Sequence, residues 1–420
     1  MEYSDIMMNK TFLLSAVLLL LISCKNAPNP KENAVIPAAP PAKGTFAYDL
    51  DFLKKHTTTL VLRSPDSDGA QIAVAPAYQG RVMTSTADGS AGNSYGWLNY
   101  ALISGEKGRQ PHINAWGGED RFWIAPEGGQ FSVFFQKGAA FDFEHWQTPG
   151  LIDTTYFELV DEDVSHAVFN IKASLENYSG TRFDLDITRK VSVLGKNDVA
   201  KFLNINDLNG LKYVGFETTN TLINVGADWK KDRGTLGIWI LGMFNPTDKI
   251  TVVAPFSRTR SPKLLLTDDY FGKLPAERLA IADSTVFFKG DGKWRSKIGI
   301  APASAKPVAG SFDAEKGILT IVQFDLDPAG DYLKSTWKRH SEPYKGDAFN
   351  SYNDGPVADG AQLGPFYELE STSPAPALKS GEKLVHRHRT FHFEGDRAAL
   401  DRLAKAVLGV GLSQIETALK

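Results

Sequence analysis

The chain has 420 residues, of which 46 are basic and 49 acidic, and its formal net charge is −3 at pH 7. Charges of both signs are spread along the chain without a basic stripe or an acidic tail, which argues against nucleic acid as a partner and against electrostatic membrane binding. The one cysteine, Cys24, excludes a disulfide within the chain and a cysteine metal cluster.

The N-terminus has the pattern of an export signal. Lys10 precedes apolar residues 12–22, a run too short for a permanent bilayer-spanning helix. The run ends in Leu-Ile-Ser-Cys at 21–24, which matches the bacterial lipobox, whose cysteine receives a lipid. We therefore expect residues 1–24 to be a lipoprotein signal peptide and Cys24 to anchor the protein to a membrane of the cell envelope. An uncleaved membrane anchor or a chance match to the lipobox is the alternative.

Lys25 follows the lipidated position. In enterobacteria an aspartate there retains lipoproteins at the inner membrane, so resemblance to that sorting rule predicts the outer membrane. Residues 25–44 are rich in Pro, Ala, Asn and Lys and have no apolar periodicity, which is typical of a flexible tether.

Residues 45–395 form the body of the chain. Short alternating or apolar runs recur there, broken by Gly, Asn, Asp or Pro at intervals of roughly 8–12 residues. This spacing predicts an all-β fold, a large antiparallel β-sandwich, and we expect it to be a monomer. The runs are 131–135, 168–175, 183–193, 236–243, 250–256, 318–326, 366–370 and 384–393.

Helical periodicity is confined to three stretches. One covers residues 48–55 and a weaker one covers residues 331–339. In the C-terminal segment, residues 396–420, Asp396 caps a stretch in which Leu400, Leu403 and Val407 fall on one face. A short C-terminal helix is therefore expected after the sandwich.

A segment rich in acids and tryptophans lies at residues 112–130. It contains two glycine pairs, at 117–118 and 128–129, and carries four side chains suited to a sugar: Trp116, Glu119, Arg121 and Trp123. Tryptophan rings stack on the C–H faces of sugars, while Glu and Arg form directional hydrogen bonds to hydroxyls, so the segment predicts substrate binding. The alternative is that the tryptophans belong to the core and that Glu119 pairs with Arg121 in a turn.

Two carboxylates follow each other at alternate positions near residue 370. On a strand, Glu368 and Glu370 would point to the same face, where paired carboxylates suit acid–base chemistry. The return strand carries three histidines on one face, which would permit a metal site, although arginines at 387 and 389 also fit a merely exposed strand. The histidines are at positions 386, 388 and 392. We expect no metal and no other cofactor.

The residues from about 78 to 393 resemble the galactose mutarotase-like superfamily of aldose epimerases. The resemblance rests on Gly-Gly-Glu-Asp-Arg-Phe-Trp-Ile-Ala-Pro-Glu at 117–127 and on the pair Leu369-Glu370, followed by Leu-Lys-Ser-Gly-Glu at 378–382. It implies a β supersandwich over residues 45–395 and a carbohydrate ligand. It also implies that Glu370 is the base that takes the proton of the anomeric hydroxyl, with Glu368 beside it in substrate binding.

The sequence departs from that family at the general acid. Mutarotases carry a histidine in an Asn-His-x-Tyr-Phe-Asn strand motif, whereas residues 219–225 read Thr-Asn-Thr-Leu-Ile-Asn-Val. His112 is the expected replacement because it lies on the same segment as the tryptophans; His145 and His166 are alternatives. A non-catalytic carbohydrate-binding lipoprotein, a lyase or hydrolase using the paired carboxylates, and a structural envelope protein all remain open.

We also predict that the segment at residues 112–130 and the carboxylates near residue 370 share one site. Residues 116–123 and Glu370 are expected around one cleft although they lie about 250 residues apart in the sequence. A separation of more than about 15 Å would exclude a shared site for one small ligand.

Overall fold

The computed structural model describes residues 40–357 and 360–419. The predicted signal peptide, Cys24 and the tether up to residue 39 lie outside the described residues. Residues 41–420 fold as one unit.

Within the described residues, strands dominate and helices are short. The strands are β1 Leu60–Ser64, β2 Ser67–Ala75, β3 Arg81–Thr86, β4 Arg121–Ala125, β5 Glu158–Glu162, β6 His166–Glu176, β7 Arg182–Val193, β8 Leu211–Asn224, β9 Gly237–Phe244, β10 Ile250–Pro255, β11 Leu266–Thr267, β12 Leu279–Ala282, β13 Thr285–Lys289, β14 Ser296–Ile300, β15 Val308–Asp313, β16 Ile318–Phe324, β17 Phe349–Asn353, β18 Tyr367–Thr372 and β19 Lys383–Gly395. The helices are α1 Phe46–His56, α2 Tyr100–Ile103, α3 Gly150–Asp153, α4 Lys196–Leu203, α5 Arg397–Leu408 and α6 Leu412–Thr417, with a 3-10 turn at Pro76–Tyr78.

The strands form three antiparallel sheets. A ten-stranded sheet has the order β12-β13-β10-β15-β16-β19-β8-β7-β6-β5, so that β12 and β5 are its edges. A six-stranded sheet has the order β11-β14-β17-β18-β9-β4, and β1-β2-β3 form a small third sheet. The predicted all-β antiparallel sandwich is confirmed, and short helices follow it at the C-terminus.

The helices cover sheet faces, and one predicted helix is absent. Apolar residues of α5 and α6 pack on the outer face of the ten-stranded sheet, against Phe312 and Phe391 among others. Residues 331–339, expected to be helical, are irregular. Their apolar side chains enter three separate clusters through Tyr332, Leu333 and Trp337, so the periodic spacing does not mark a single helical face.

Burial shows which sheet is covered on both faces. Strand β7 alternates buried and less buried residues, as a strand with one covered face does. In contrast, every residue of β9 and β18 is buried. The six-stranded sheet therefore has an inner face towards the large sheet and an outward face under other parts of the chain.

Polar groups lie between the two large sheets. Arg189 of β7 donates to Asp120 at 2.5 Å, and both side chains are inaccessible. On β19, the rings of His386 and His388 each lie 2.8 Å from the hydroxyl of Ser371 on β18. The histidine-bearing face that the sequence left open as exposed is therefore buried, and it contacts the inner face of the six-stranded sheet.

These histidines predict a pH dependence of stability. Burial lowers the pKa of His386 and of His388 from 6.5 to about 3. Between those values the unfolded chain binds protons that the folded chain does not, so the free energy of unfolding should fall as pH decreases from 7 to 5. The expected loss is on the order of 1.4 kcal/mol per pH unit for each histidine, measurable by urea unfolding.

A comparison of variants isolates this effect from other titrating groups. His388→Gln should reduce the slope of stability against pH, whereas replacement of the exposed His56 by glutamine should leave it unchanged. Equal slopes for His388→Gln and the unmodified protein would contradict the assignment.

Candidate functional site on the outward sheet face

The two segments singled out in the sequence meet on the outward face of the six-stranded sheet. Strands β4 and β18 flank β9, and both Arg121 and Glu370 pair with Leu241. Two strand spacings separate their backbones by about 10 Å. Because residues paired in register share a face, the side chains of Arg121 and Glu370 point to the same side of the sheet.

Glu370 lies at the centre of a polar and aromatic group on this face. One of its oxygens, Oε2, accepts hydrogen bonds from Trp239 Nε1 and from Lys297 Nζ, both at 2.9 Å. The other oxygen, Oε1, is buried without a hydrogen-bond partner among the described residues. The Lys297 ammonium also lies 4.8 Å from the ring centre of Trp239. We call this group, with Glu368, Arg121 and Trp123, the outward-face cluster.

Glu368 lies two residues before Glu370 and has a different environment. Arg121 Nη2 donates to its Oε1 at 2.5 Å. Burial raises the pKa of Glu368 to about 8, and this effect outweighs the opposing charge of Arg121. For Lys297, burial acts to lower the pKa, but Glu370 and Glu127 raise it above its ordinary value. The face therefore combines a carboxyl group that keeps its proton near neutral pH with a carboxylate held by a lysine.

Two tryptophans connect the cluster to the core. Trp123 of β4 and Trp239 of β9 are paired in register and pack edge to face, with ring centres 5.5 Å apart. The guanidinium of Arg121 lies 4.7 Å from the ring of Trp123. Both indoles are nearly inaccessible, so in this conformation they line the side of the cluster that faces the sheet.

A short loop after β11 covers the cluster. The hydroxyl of Tyr270 donates to Asp347 at 2.6 Å, and its ring lies 5.7 Å from the Lys297 ammonium. Phe271, about half exposed, lies 4.6 Å from the Arg295 guanidinium. Access for a ligand to Glu370 therefore requires this cover to move.

Three residues predicted for the site lie elsewhere. Glu119 turns to the inner face, where its Oε2 accepts from His392 at 2.9 Å. Trp116 stacks on Tyr78 at 4.8 Å, in the cluster beneath α1. The ring of His112 lies 2.7 Å from the carbonyl of Trp146. The structure thus brings Arg121, Trp123, Glu368 and Glu370 together, but not these three.

No histidine replaces the expected acid at the cluster. All eight histidines fall within the described residues, and none of them hydrogen-bonds to Glu368 or Glu370; they are at positions 56, 112, 145, 166, 340, 386, 388 and 392. In the part of the chain that the structure describes, no group of three His, Cys, Asp or Glu side chains is arranged to hold a metal ion.

Lys297 and Trp239 were not expected from the sequence. Trp239 lies in the apolar run 236–243, where a tryptophan is typical of the core. Lys297 is the second residue of a short strand that no sequence motif marks. Only the register of β14 against β17 and β18, which the sequence does not reveal, brings Lys297 to Glu370.

The fold and the cluster define a large antiparallel β-sandwich protein with charged and aromatic side chains gathered on one sheet face. The chain belongs to a family of unknown function, DUF6786, whose model matches residues 44–419. The comparison with curated proteins yields no match.

Solved structures with similar folds share little sequence with this chain. A candidate aldose 1-epimerase from Escherichia coli K12 is 12% identical, with a TM-score of 0.47 over 81% of this chain and 99% of that one. A galactose mutarotase-like protein from Lactobacillus casei is 10% identical, with a TM-score of 0.45 over 80% and 100%. An aldose epimerase homologue from C. elegans is 10% identical, with a TM-score of 0.44 over 81% and 100%.

Proposed function

We propose that this protein is a lipid-anchored protein of the bacterial cell envelope that binds a carbohydrate at the outward-face cluster and interconverts its anomers. The observation that carries the proposal is the contrast between two carboxyl groups on one strand face. Both are buried, but Glu370 accepts from a lysine and an indole N–H, whereas Glu368 accepts from Arg121 and has a pKa that burial raises. Pairs of carboxyl groups in opposed environments are the usual basis for separate acid and base roles.

The cluster has the groups that a sugar needs. Oε1 of Glu370 lacks a partner, and so does Nε of Arg121, which leaves one acceptor and one donor for polar groups of a ligand. Indole and phenol rings next to such groups suit the apolar faces of a sugar ring. Because the Tyr270–Phe271 cover must open for entry, we expect the sugar to be enclosed once bound, with bulk water excluded.

The reaction assigned to these groups is ring opening and reclosure. Glu370 removes the proton of the anomeric hydroxyl while Glu368 gives its proton to the ring oxygen, so that the bond from C1 to the ring oxygen breaks as the C1 carbonyl forms. Rotation about C1–C2 and the reverse proton transfers produce the other anomer. Glu368 takes the role for which His112 was expected, because His112 is bonded to the Trp146 carbonyl.

A non-catalytic carbohydrate-binding protein is the second candidate. The complete burial of Glu370 favours it, since a binding protein can use a closed charged cluster to recognise hydroxyls without turnover. The two candidates differ in one measurable property, the rate at which the protein interconverts sugar anomers.

The membrane anchor gives a separate prediction. Cys24→Ala should abolish labelling with a palmitate analogue and release the protein from membranes, because Cys24 is the only acyl acceptor of this type in the sequence. Lys25→Ala, which leaves the lipobox unchanged, should remain labelled and membrane-bound. A Cys24→Ala variant that still partitions wholly with membranes would overturn the anchor. No helix among residues 40–357 and 360–419 is both long and apolar enough to cross a bilayer.

A further inference from the structure

Two arginines stand side by side at the edge of the outward-face cluster. Val82 of β3 forms an antiparallel bridge with Asp120, so one step along that pairing Arg81 lies opposite Arg121. Both side chains point outward and are almost inaccessible, with exposures of 1% and 3%. Like charges on paired strands are unfavourable, and burial increases their repulsion.

Glycine allows this close arrangement. Gly118 has a φ of +106°, and a Cβ at this position would lie 2.7 Å from Cδ of Arg81. The paired glycines noted in the sequence thus make room for an arginine from the neighbouring strand.

Arg81 forms no salt bridge among the described residues. Its guanidinium donates to the Gly117 carbonyl and to Gln79 Oε1, both at 3.0 Å, and both acceptors are neutral. Arg189, an equally buried arginine, has the carboxylate of Asp120 at 2.5 Å. Buried cations are normally paired in this way, so Arg81 is an exception that needs an explanation.

Further observations point to a missing anion. Nε of Arg81 and Nε of Arg121 are both buried without a hydrogen-bond partner. Burial, followed by the positive charge of Arg121, lowers the pKa of Arg81 to about 9. The carboxyl group of Asp153 offsets part of this effect, but it accepts hydrogen bonds from the backbone and side-chain nitrogens of Asn114 and forms no salt bridge with either arginine. An anion between the arginines would remove their repulsion and use both free donors.

We propose that Arg81 and Arg121 form a subsite for the carboxylate of an acidic sugar, so that the carbohydrate bound by this protein is a uronic acid. The inference rests on the proposed function in that the sugar ring occupies the outward-face cluster beside Glu370. The guanidinium fork matches the geometry of a planar carboxylate. The stacked rings of Tyr78 and Trp116 border the subsite, with Arg81 5.9 Å from the centre of Tyr78.

Binding of matched sugars tests the proposal. Calorimetry would compare D-glucuronate and D-galacturonate with D-glucose and D-galactose, using the soluble protein from residue 40. The unmodified protein should bind at least one uronate tenfold or more tightly than its neutral counterpart, and Arg81→Met should reduce this ratio to near one. Equal affinities in the unmodified protein, or a ratio that Arg81→Met leaves unchanged, would overturn the subsite.

The unfolding of the same variant gives a second test that needs no sugar. Because the cost of burying the Arg81 charge without a salt bridge offsets its two hydrogen bonds to Gly117 and Gln79, Arg81→Met should unfold at a temperature close to that of the unmodified protein, or at a higher one. Arg189→Met, which removes a paired arginine, should unfold at a lower temperature. A large loss of stability in Arg81→Met would assign Arg81 to structure and overturn the proposal.

Failure of the subsite and failure of the proposed function give different results. If neutral sugars bind and uronates bind no better, the carbohydrate function stands and the arginine subsite falls. If no sugar binds but sulfate stabilises the unmodified protein and not Arg81→Met, the arginines bind an oxyanion; the uronate proposal and the carbohydrate function are then both overturned.

Discussion

Replacing Glu370 with glutamine should lower the rate of anomer interconversion by about a hundredfold or more, while sugar affinity changes little. The amide keeps the size of the carboxylate and most of its hydrogen-bonding capacity, but it cannot accept a proton, so the loss falls on the chemical step. Exchange NMR between the α and β anomers measures the rate directly, and calorimetry on the same samples measures the affinity. Glu158→Gln, on an exposed strand, is the matched control and should behave like the unmodified protein.

The pH profile should identify the acid. Since burial raises the pKa of Glu368 to about 8, the rate should decline as pH rises through that value and the side chain loses the proton it donates. Glu368→Gln should remove this limb of the profile along with most of the activity. If the unmodified protein binds sugars but does not accelerate interconversion, the binding-protein candidate is correct. Full activity in Glu370→Gln would remove Glu370 from the chemistry.

Replacing Arg189 with methionine should reduce the free energy of unfolding by about 3–5 kcal/mol. Arg189 joins three parts of the interior, because it donates to Asp120 at 2.5 Å, to Asn220 at 2.7 Å and to the Gly80 carbonyl at 3.1 Å. Without the guanidinium these acceptors are buried and unpaired, and the Asp120 carboxylate has no counter-ion. Urea unfolding monitored by tryptophan fluorescence measures the loss.

A surface ion pair provides the control for Arg189. Arg182 forms a salt bridge with Asp184, but its side chain is largely exposed. Arg182→Met should therefore change stability only slightly, since solvent screens such pairs. A loss from Arg189→Met no greater than that from Arg182→Met would show that the interior pair contributes little.

Periodicity made the fold predictable, because alternation and turn residues are local properties of the chain. The shared face of Glu368 and Glu370 followed in the same way from a side-chain period of two residues. The same rule correctly places the side chains of Arg121 and Trp123 on one face of β4. The rule does not extend to Glu119, which precedes β4 by two residues and turns to the inner face.

Long-range register could not be read from one sequence. Lys297 reaches Glu370 across β17, and Arg81 reaches Arg121 across a single bridge from another sheet. Neither residue has a local neighbour that reveals its partner. His112 shows the opposite difficulty, because it is close in sequence to the predicted binding residues but packs against Phe143 and the Trp146 carbonyl. Proximity along the chain was a poor guide to proximity in the site.

The two edges of the ten-stranded sheet also affect how copies of the protein meet at high concentration. An open edge can pair with another strand and start a fibre. Edge strand β5 is largely exposed and carries Glu158, Asp161 and Glu162, so two such edges repel each other. The opposite edge, β12, has four residues, which is too short to seed an extended ladder. The large sheet can therefore remain open at both ends without inviting aggregation.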